Sequence, residues 1–142
     1  MTLGRLEDRE LLRTARVGHL ATADAGARPH VVPVCFVAAE DAVYIALDEK
    51  PKRRSPLALK RVRNIRENDH VALVVDHYEE DWRRLRYALV FGRAALLSEG
   101  PEHRDAVSRL RAKYAQYRGM TLENAPLIKI RLARIVGWAA AP

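Results

Sequence analysis

Cysteine, aromatic residues and long apolar runs are all scarce in this sequence of 142 residues. Cys35 is the single cysteine, so no disulfide can form within the chain, and this fits a reducing compartment. No apolar run reaches the roughly 18 residues that a membrane helix needs. The first residues carry alternating charges rather than an apolar signal segment. We therefore expect one domain, residues 1–142, in the cytoplasm.

The glycines are few and scattered, which excludes several common sites. The seven glycines form neither the GxGxxG turn of a Rossmann domain nor a phosphate-binding P-loop. The sequence also has no GxSxG elbow and no HExxH motif, and the acids and histidines of residues 76–82 match no familiar metal-ligand spacing. Cys35 lies among valines, where a core thiol is favoured over a nucleophile. These absences leave a bound cofactor as the source of any reactivity.

Positive charge is concentrated in one segment. The net charge is +7, and residues 50–66 alone carry eight lysines and arginines without one acid. Such a one-sided cluster favours a bound anion, for example a phosphate held by basic side chains and a helix N-terminus. A solvated helix face and a nucleic-acid surface are the alternatives. The candidate anion ligands are Lys50, Lys52 and Arg53 on a loop, and Lys60, Arg61 and Asn64 on the following helix.

The apolar periodicity predicts a helix, three strands, a helix, two strands, a helix and a final strand. Strands joined by tight turns argue against a doubly wound parallel sheet. We therefore predict a mainly β (α+β) fold, a six-stranded antiparallel β-barrel, closed or split, with flanking helices. The predicted strands are residues 17–23, 29–38, 42–47, 70–76, 85–98 and 127–136, and the predicted helices are residues 3–15, 57–68 and 101–117.

Individual residues refine this prediction. Pro33 cannot donate a ladder hydrogen bond, which marks its strand as an edge strand or as one turned away from its neighbour. Gly92 predicts a bend or bulge in the long strand. Arg134 falls on the apolar parity of the last strand, so the register slips there or the strand ends. The uninterrupted apolar run of residues 71–75 is typical of a strand that is buried on both faces.

Four stretches of the sequence carry a resemblance to a known family. The first is a hairpin with the sequences VGHLATA and ARPHVVPV, and the second is the strand VYIALDEK. The third and most specific is KRVRNIRENDHVALVV, in which a basic pair and Arg-Asn-Ile precede an apolar strand; the fourth is DHYEEDWRRL. With these stretches, nearly the whole chain resembles the pyridoxamine 5′-phosphate oxidase-like superfamily of split β-barrels. The likeness is greatest to its small members that use FMN or the deazaflavin coenzyme F-420.

The resemblance implies a homodimer whose cofactor lies in a groove between the two subunits. It places the edge of the cofactor ring against the backbone of the second strand and the phosphate against the basic pair. Aromatic residues of the second subunit are implied near the ring. The implied cofactor-binding residues are His30, Val31, Val32, Pro33, Ile45, Ala46, Leu47, Lys50, Lys52, Lys60, Arg61, Asn64, Trp82 and Trp138.

The resemblance also implies an oxidoreductase that transfers a hydride between F-420 or FMN and a small organic acceptor. Two departures argue against oxidation of pyridoxamine phosphate itself: His30 replaces an arginine that holds FMN in the vitamin-B6 oxidases, and few residues follow Trp138. The basic residues 50–54 favour F-420 modestly, because its anionic tail is longer. No catalytic residue is identified, and Tyr78 and His77 are candidate proton donors.

Two other functions compete with this one. The same barrel suits a non-catalytic flavin or haem carrier or sensor, and the basic strip suits a nucleic-acid-binding protein. We expect a small-molecule substrate and a homodimer, with neither nucleic acid nor a membrane as partner.

Overall fold

The predicted mainly β split barrel with flanking helices is confirmed, with seven strands rather than six. The computed structural model describes residues 4–47 and 59–141. The strands are β1 (Gly18–Ala23), β2 (Pro29–Val34), β3 (Phe36–Ala38), β4 (Ala42–Ala46), β5 (His70–His77), β6 (Arg86–Leu97) and β7 (Leu127–Ala139). The α-helices are α1 (Leu6–Thr14), α2 (Lys60–Glu67) and α3 (Pro101–Lys113), and short 3-10 helices lie at Trp82–Arg84 and Ala115–Gly119.

The additional strand arises because the chain breaks at Cys35. β2 pairs with β1 and β3 pairs with β4, and these strands lie at opposite ends of the sheet order β2-β1-β5-β6-β7-β4-β3. Consecutive Cα atoms are only about 3.8 Å apart. The single residue between Val34 and Phe36 therefore holds the two ends of the sheet together and curls the sheet into a barrel. Cys35 itself is half-buried at this corner.

Two clusters of buried apolar side chains cover the two faces of β4. The barrel interior contains Phe36 and Leu73, and Val62 of α2 packs into the same cluster. The second cluster packs α3 against the outside of β3 and β4, with Tyr44 and Leu110 among its members. All five residues of β4 are buried as a result.

β6 and β7 are paired along their length except at one bulge. Gly92 lies opposite Leu132, whereas the residue before Gly92 lies opposite Arg134, so Ala133 is an extra residue in β7. This confirms both the bulge predicted at Gly92 and the register slip predicted at Arg134. A Cβ atom at Gly92 would lie 2.3 Å from the carbonyl oxygen of Arg131, so only glycine fits where the two backbones approach.

The burial predicted for β5 is wrong for the single chain. Val71, Leu73 and Val75 lie in the core, but Ala72 and Val74 are only half-buried on the outer face of the sheet. The apolar run is therefore buried on one face alone. No element within residues 4–47 and 59–141 covers this apolar outer face of β5.

Candidate functional site

One face of α2 is held against the β1–β2 hairpin by polar contacts. Asn64 Nδ2 donates to Thr22 Oγ1 at 3.0 Å, and a carboxylate oxygen of Glu67 accepts a backbone N–H of the hairpin turn at 2.9 Å. Lys60 Nζ lies 3.8 Å from Asp24 Oδ2. Residues 60, 64 and 67 share one helix face because they follow the spacing of a helical turn. These contacts hold α2 beside the hairpin from its first residue to its last.

Asp24 gives the hairpin a fixed negative charge. Its buried carboxylate accepts hydrogen bonds from the backbone N–H of Gly26 at 2.9 Å and of Arg28 at 3.0 Å, and from the guanidinium of Arg28 at 2.9 Å. These donors, the backbone N–H of Arg28 first, hold the pKa of Asp24 below its ordinary value. The ionised carboxylate orients Lys60, whose side chain remains 41% exposed. The sequence indicated a turn here, but it did not reveal this ion pair.

Two buried polar atoms at the junction of α2 and the hairpin have no hydrogen-bond partner among the described residues. They are His30 Nδ1 and Asn64 Oδ1. His30 lies opposite Thr22 in the β1–β2 ladder, so the two side chains share a face, and Thr22 is also the partner of Asn64. A buried polar atom without a partner costs free energy. Two of them on residues that neighbour the same threonine fit a site that a polar ligand completes.

The N-terminus of α2 adds positive potential to this junction. Among the described residues, no side chain caps the helix at Leu59, and the first turn of the helix contains no acid. Lys60 and Arg61 occupy that turn. Uncapped N–H groups, the helix dipole and two cations together suit a phosphate. The structure thus brings together four of the predicted site residues, which are Lys60, Arg61, Asn64 and His30.

The other predicted residues of β2 and β4 differ in exposure. Val31 is 64% exposed, Pro33 is exposed, and Val32 is half-buried. Three residues at the end of β4 have side chains in the two cores, so only their backbone can reach a ligand: Ile45, Ala46 and Leu47. Lys50, Lys52 and Arg53 lie outside the described residues.

The two tryptophans lie far from α2 within one chain. Trp138 stacks on Tyr87, with ring centroids 5.9 Å apart and an interplanar angle of 22°. The two rings line an open groove of about 410 Å³ at the end of β5, and Trp82 on the neighbouring 3-10 helix is 67% exposed. α2 adjoins the start of the same strand, and eight residues of strand span roughly 25 Å. Trp82 and Trp138 can therefore join Lys60 in one site only from a second subunit.

The candidate proton donors line the same aromatic groove. His77 and Tyr78 both border it. The imidazole of His77 is hydrogen-bonded to Glu79, and Tyr78 is 62% exposed. Neither side chain contacts the α2 junction.

No cluster of three metal-ligating side chains occurs in residues 4–47 and 59–141. Within the same ranges, no helix has the length and apolar character that a membrane crossing requires.

A curled antiparallel sheet whose two end strands do not pair, with a basic helix end against its first hairpin, defines a split β-barrel protein with a candidate site for an anionic ligand. A model of the pyridoxamine 5′-phosphate oxidase family matches residues 6–139. The chain belongs to this family.

Individual relatives extend the comparison. The chain is 35% identical over 94 residues to a 5a,11a-dehydrotetracycline/5a,11a-dehydrooxytetracycline reductase of Streptomyces rimosus. That match covers 66% of this chain and 63% of the reductase, so it spans less than two thirds of the relative's length. The fold is similar to that of an FAD-binding protein from Mesorhizobium loti, with a TM-score of 0.69, 25% identity, and 96% and 95% of the two chains covered. An F420 reductase shares the fold with a TM-score of 0.66 and 20% identity, over 94% of this chain and 98% of the other.

Proposed function

We propose that the protein is an oxidoreductase that binds F-420 or FMN and transfers a hydride between this cofactor and a small organic acceptor. The observation that carries the proposal is the α2 junction. There, two buried polar atoms without a hydrogen-bond partner among the described residues lie beside a helix end that carries two cations and no acid. Both cofactors carry a polar chain with a phosphoryl group, which is the end of the chain in FMN and continues into a longer anionic tail in F-420. Membership of the pyridoxamine 5′-phosphate oxidase family supports a redox role.

Each residue of the junction has a distinct part in this proposal. Lys60 and Arg61 hold the phosphoryl group with charged hydrogen bonds, aided by the helix N-terminus. Asn64 Oδ1 is an acceptor, so it suits a hydroxyl of the chain between ring and phosphate. His30 Nδ1 and the backbone of β2 face the ring. The bound cofactor supplies the hydride chemistry, and the protein binds it, orients it and excludes water.

The relatives support the same reading. One is a reductase and another binds FAD, and an F420 reductase has the same fold. The basic residues of the segment 50–54 favour F-420 over FMN, because a longer anionic tail would use more of them.

We also propose that the protein acts as a homodimer through the outer face of its sheet. Cross-strand neighbours on this face form apolar rows, in which Val74, Leu89 and Val136 lie side by side. Val136 is 38% exposed, and Trp138 on the same strand is 46% exposed. An apolar sheet face of this extent is typical of a protein interface. A second copy seated here would explain why β5 has the sequence of a strand buried on both faces.

The dimer is tested by Val136→Glu. A carboxylate in the middle of the apolar rows would be desolvated by the partner, so we expect the variant to sediment as a monomer while the parent protein sediments at twice its mass. Leu6→Glu is the matched control, because Leu6 is 83% exposed on α1, which packs on the inner side of the sheet. A parent protein that is monomeric at micromolar concentration would overturn the dimer.

The reaction is tested by mixing the purified protein with reduced F-420 or reduced FMN and a quinone or dye acceptor. We expect one cofactor to bind and its reoxidation, followed by absorbance, to be accelerated by the protein. Binding without acceleration would identify the carrier or sensor instead. A Soret band after incubation with haem, with no uptake of either cofactor, would favour a haem protein.

A further inference from the structure

A second cationic site lies at the opposite end of β1 from the α2 junction. The C-terminal ends of α1 and α3 and the strand β3 enclose an open groove of about 500 Å³. Four cationic side chains line it, above an apolar floor of Val37 and Ala38. They are Arg13, Arg16, Arg109 and Lys113.

Two of the four cations already have counter-charges. Arg13 pairs with Glu10, and Arg109 pairs with Asp105 at 2.8 Å. In the part of the chain that the structure describes, no carboxylate pairs with Arg16 or Lys113. The groove therefore contains two compensated cations at its rim and two that lack an anion.

Lys113 is held in place by neutral groups. Its Nζ donates to the carbonyl oxygen of Phe36 at 3.0 Å and lies 4.0 Å from the centroid of the Phe36 ring. Burial, with a further contribution from the charge of Arg16, lowers the pKa of Lys113 to about 8. An ammonium group has three N–H donors, and the carbonyl of Phe36 accepts only one of them.

Arg16 is fixed beside Lys113 in a similar way. Its guanidinium donates to the carbonyl oxygen of Lys113 at 2.7 Å and lies 4.8 Å over the Tyr114 ring. The ammonium of Lys113 lies 5.3 Å from the centroid of the same ring. The Tyr114 hydroxyl bonds the backbone of both neighbouring segments, at Arg16 and Phe36. The positive charges of Arg16 and Lys113 are thus held close together by hydrogen bonds to backbone carbonyls and by contacts with aromatic rings, and not by pairing with a carboxylate.

We propose that this groove binds a small oxyanion, a carboxylate or phosphoryl group, between Lys113 and Arg16. The oxyanion supplies the counter-charge that both cations lack, and it accepts charged hydrogen bonds from their remaining N–H donors. Because the two cations are already fixed, little side-chain entropy is lost when the anion binds. This site is separate from the cofactor site and does not depend on the proposed reaction.

Binding of the oxyanion is linked to the protonation of Lys113. The titratable or charged groups that face this ammonium are Arg13, Arg16, Arg109, Cys35 and Tyr114. The anion binds the protonated amine, so its affinity is constant below pH 8 and falls up to tenfold per pH unit as the pH rises above about 8. Sulfate is the suitable probe, because its own charge is constant between about pH 6 and pH 10.

The test is calorimetric titration of the full chain with sulfate at constant ionic strength, compared with chloride. We expect saturable sulfate binding that weakens by about tenfold or more in Lys113→Met and in Arg16→Gln, with the pH profile described above. Arg104→Gln removes the same charge from an exposed position in the first turn of α3, and we expect its affinity to stay within about twofold of the parent.

Lys113→Met keeps the alkyl chain against Phe36, and circular dichroism checks that it folds. If Lys113→Met does not fold, the proposal is tested by Arg16→Gln and by the pH profile of sulfate affinity in the parent protein. Absence of saturable sulfate binding, equal weakening by Arg104→Gln, or an affinity that does not change between about pH 7 and pH 10 would overturn the proposal.

Discussion

Gly92→Ala is expected to lower the free energy of unfolding by about 3 kcal/mol, because a methyl group cannot fit at the β6–β7 bulge. The added Cβ would lie 2.3 Å from the carbonyl oxygen of Arg131 and 2.7 Å from a methyl carbon of Ile130. The first of these contacts is with backbone, which cannot rotate away. Relief of the clash therefore requires β6 and β7 to separate where they share the most extensive pairing of the sheet.

Urea unfolding followed by far-ultraviolet circular dichroism measures this change. Gly119→Ala is the matched control, because a Cβ there would meet no atom within 4 Å, and we expect it to change stability by less than about 1 kcal/mol. A Gly92→Ala variant as stable as the control would show that the bulge adapts freely and that glycine is not required there.

Features that depend on local pattern were predictable from the sequence. The bulge is the clearest case, because Gly92 interrupts one strand and Arg134 breaks the alternation of the other, and the two anomalies meet in the same place. The position of α2 was also predictable, since Val62 and Ile65 form its apolar stripe and both are buried. Such signals lie within a few residues of each other, so one sequence is enough to read them.

Features that depend on distant pairing were not predictable. The break at Cys35 follows from which strands flank β2 and β3, and no local signal distinguishes one strand of ten residues from two that pair at opposite ends of the sheet. The contacts of Asn64 with Thr22 and of Lys60 with Asp24 likewise join segments about 40 residues apart. The resemblance named Asn64 as a site residue, but only the structure shows that its amide both anchors α2 and leaves one acceptor for a ligand.

β5 shows that the burial indicated by a sequence is not always provided by the same chain. Its uninterrupted apolar run was interpreted as burial on both faces, and the structure buries only one. The prediction failed because it assumed that elements of the same chain cover the outer face of β5. We propose that a second copy of the chain covers this face instead. In the proposed dimer, we expect Trp82 and Trp138 of the second copy to lie at the α2 junction.

The central claim, that the basic end of α2 holds the phosphoryl group of a redox cofactor, is tested most directly by removing Lys60 and Arg61 together. Lys60→Ala with Arg61→Ala is expected to weaken binding of F-420 or FMN by roughly 2–4 kcal/mol, about 30- to 1000-fold in Kd, through two lost charged hydrogen bonds. Asp24 keeps its bonds from Gly26 and Arg28 in the variant, so the hairpin should remain folded.

The matched control is Arg63→Ala with Arg66→Ala, which removes two charges from exposed positions of the same helix. The measurement is fluorescence titration of both cofactors into the parent protein and the two double variants at one ionic strength. The account predicts that the double variant without Lys60 and Arg61 loses most of its affinity for the cofactor, while the affinity of the control variant stays within about threefold of that of the parent protein. Unchanged affinity without Lys60 and Arg61, or an equal loss in both double variants, would contradict it.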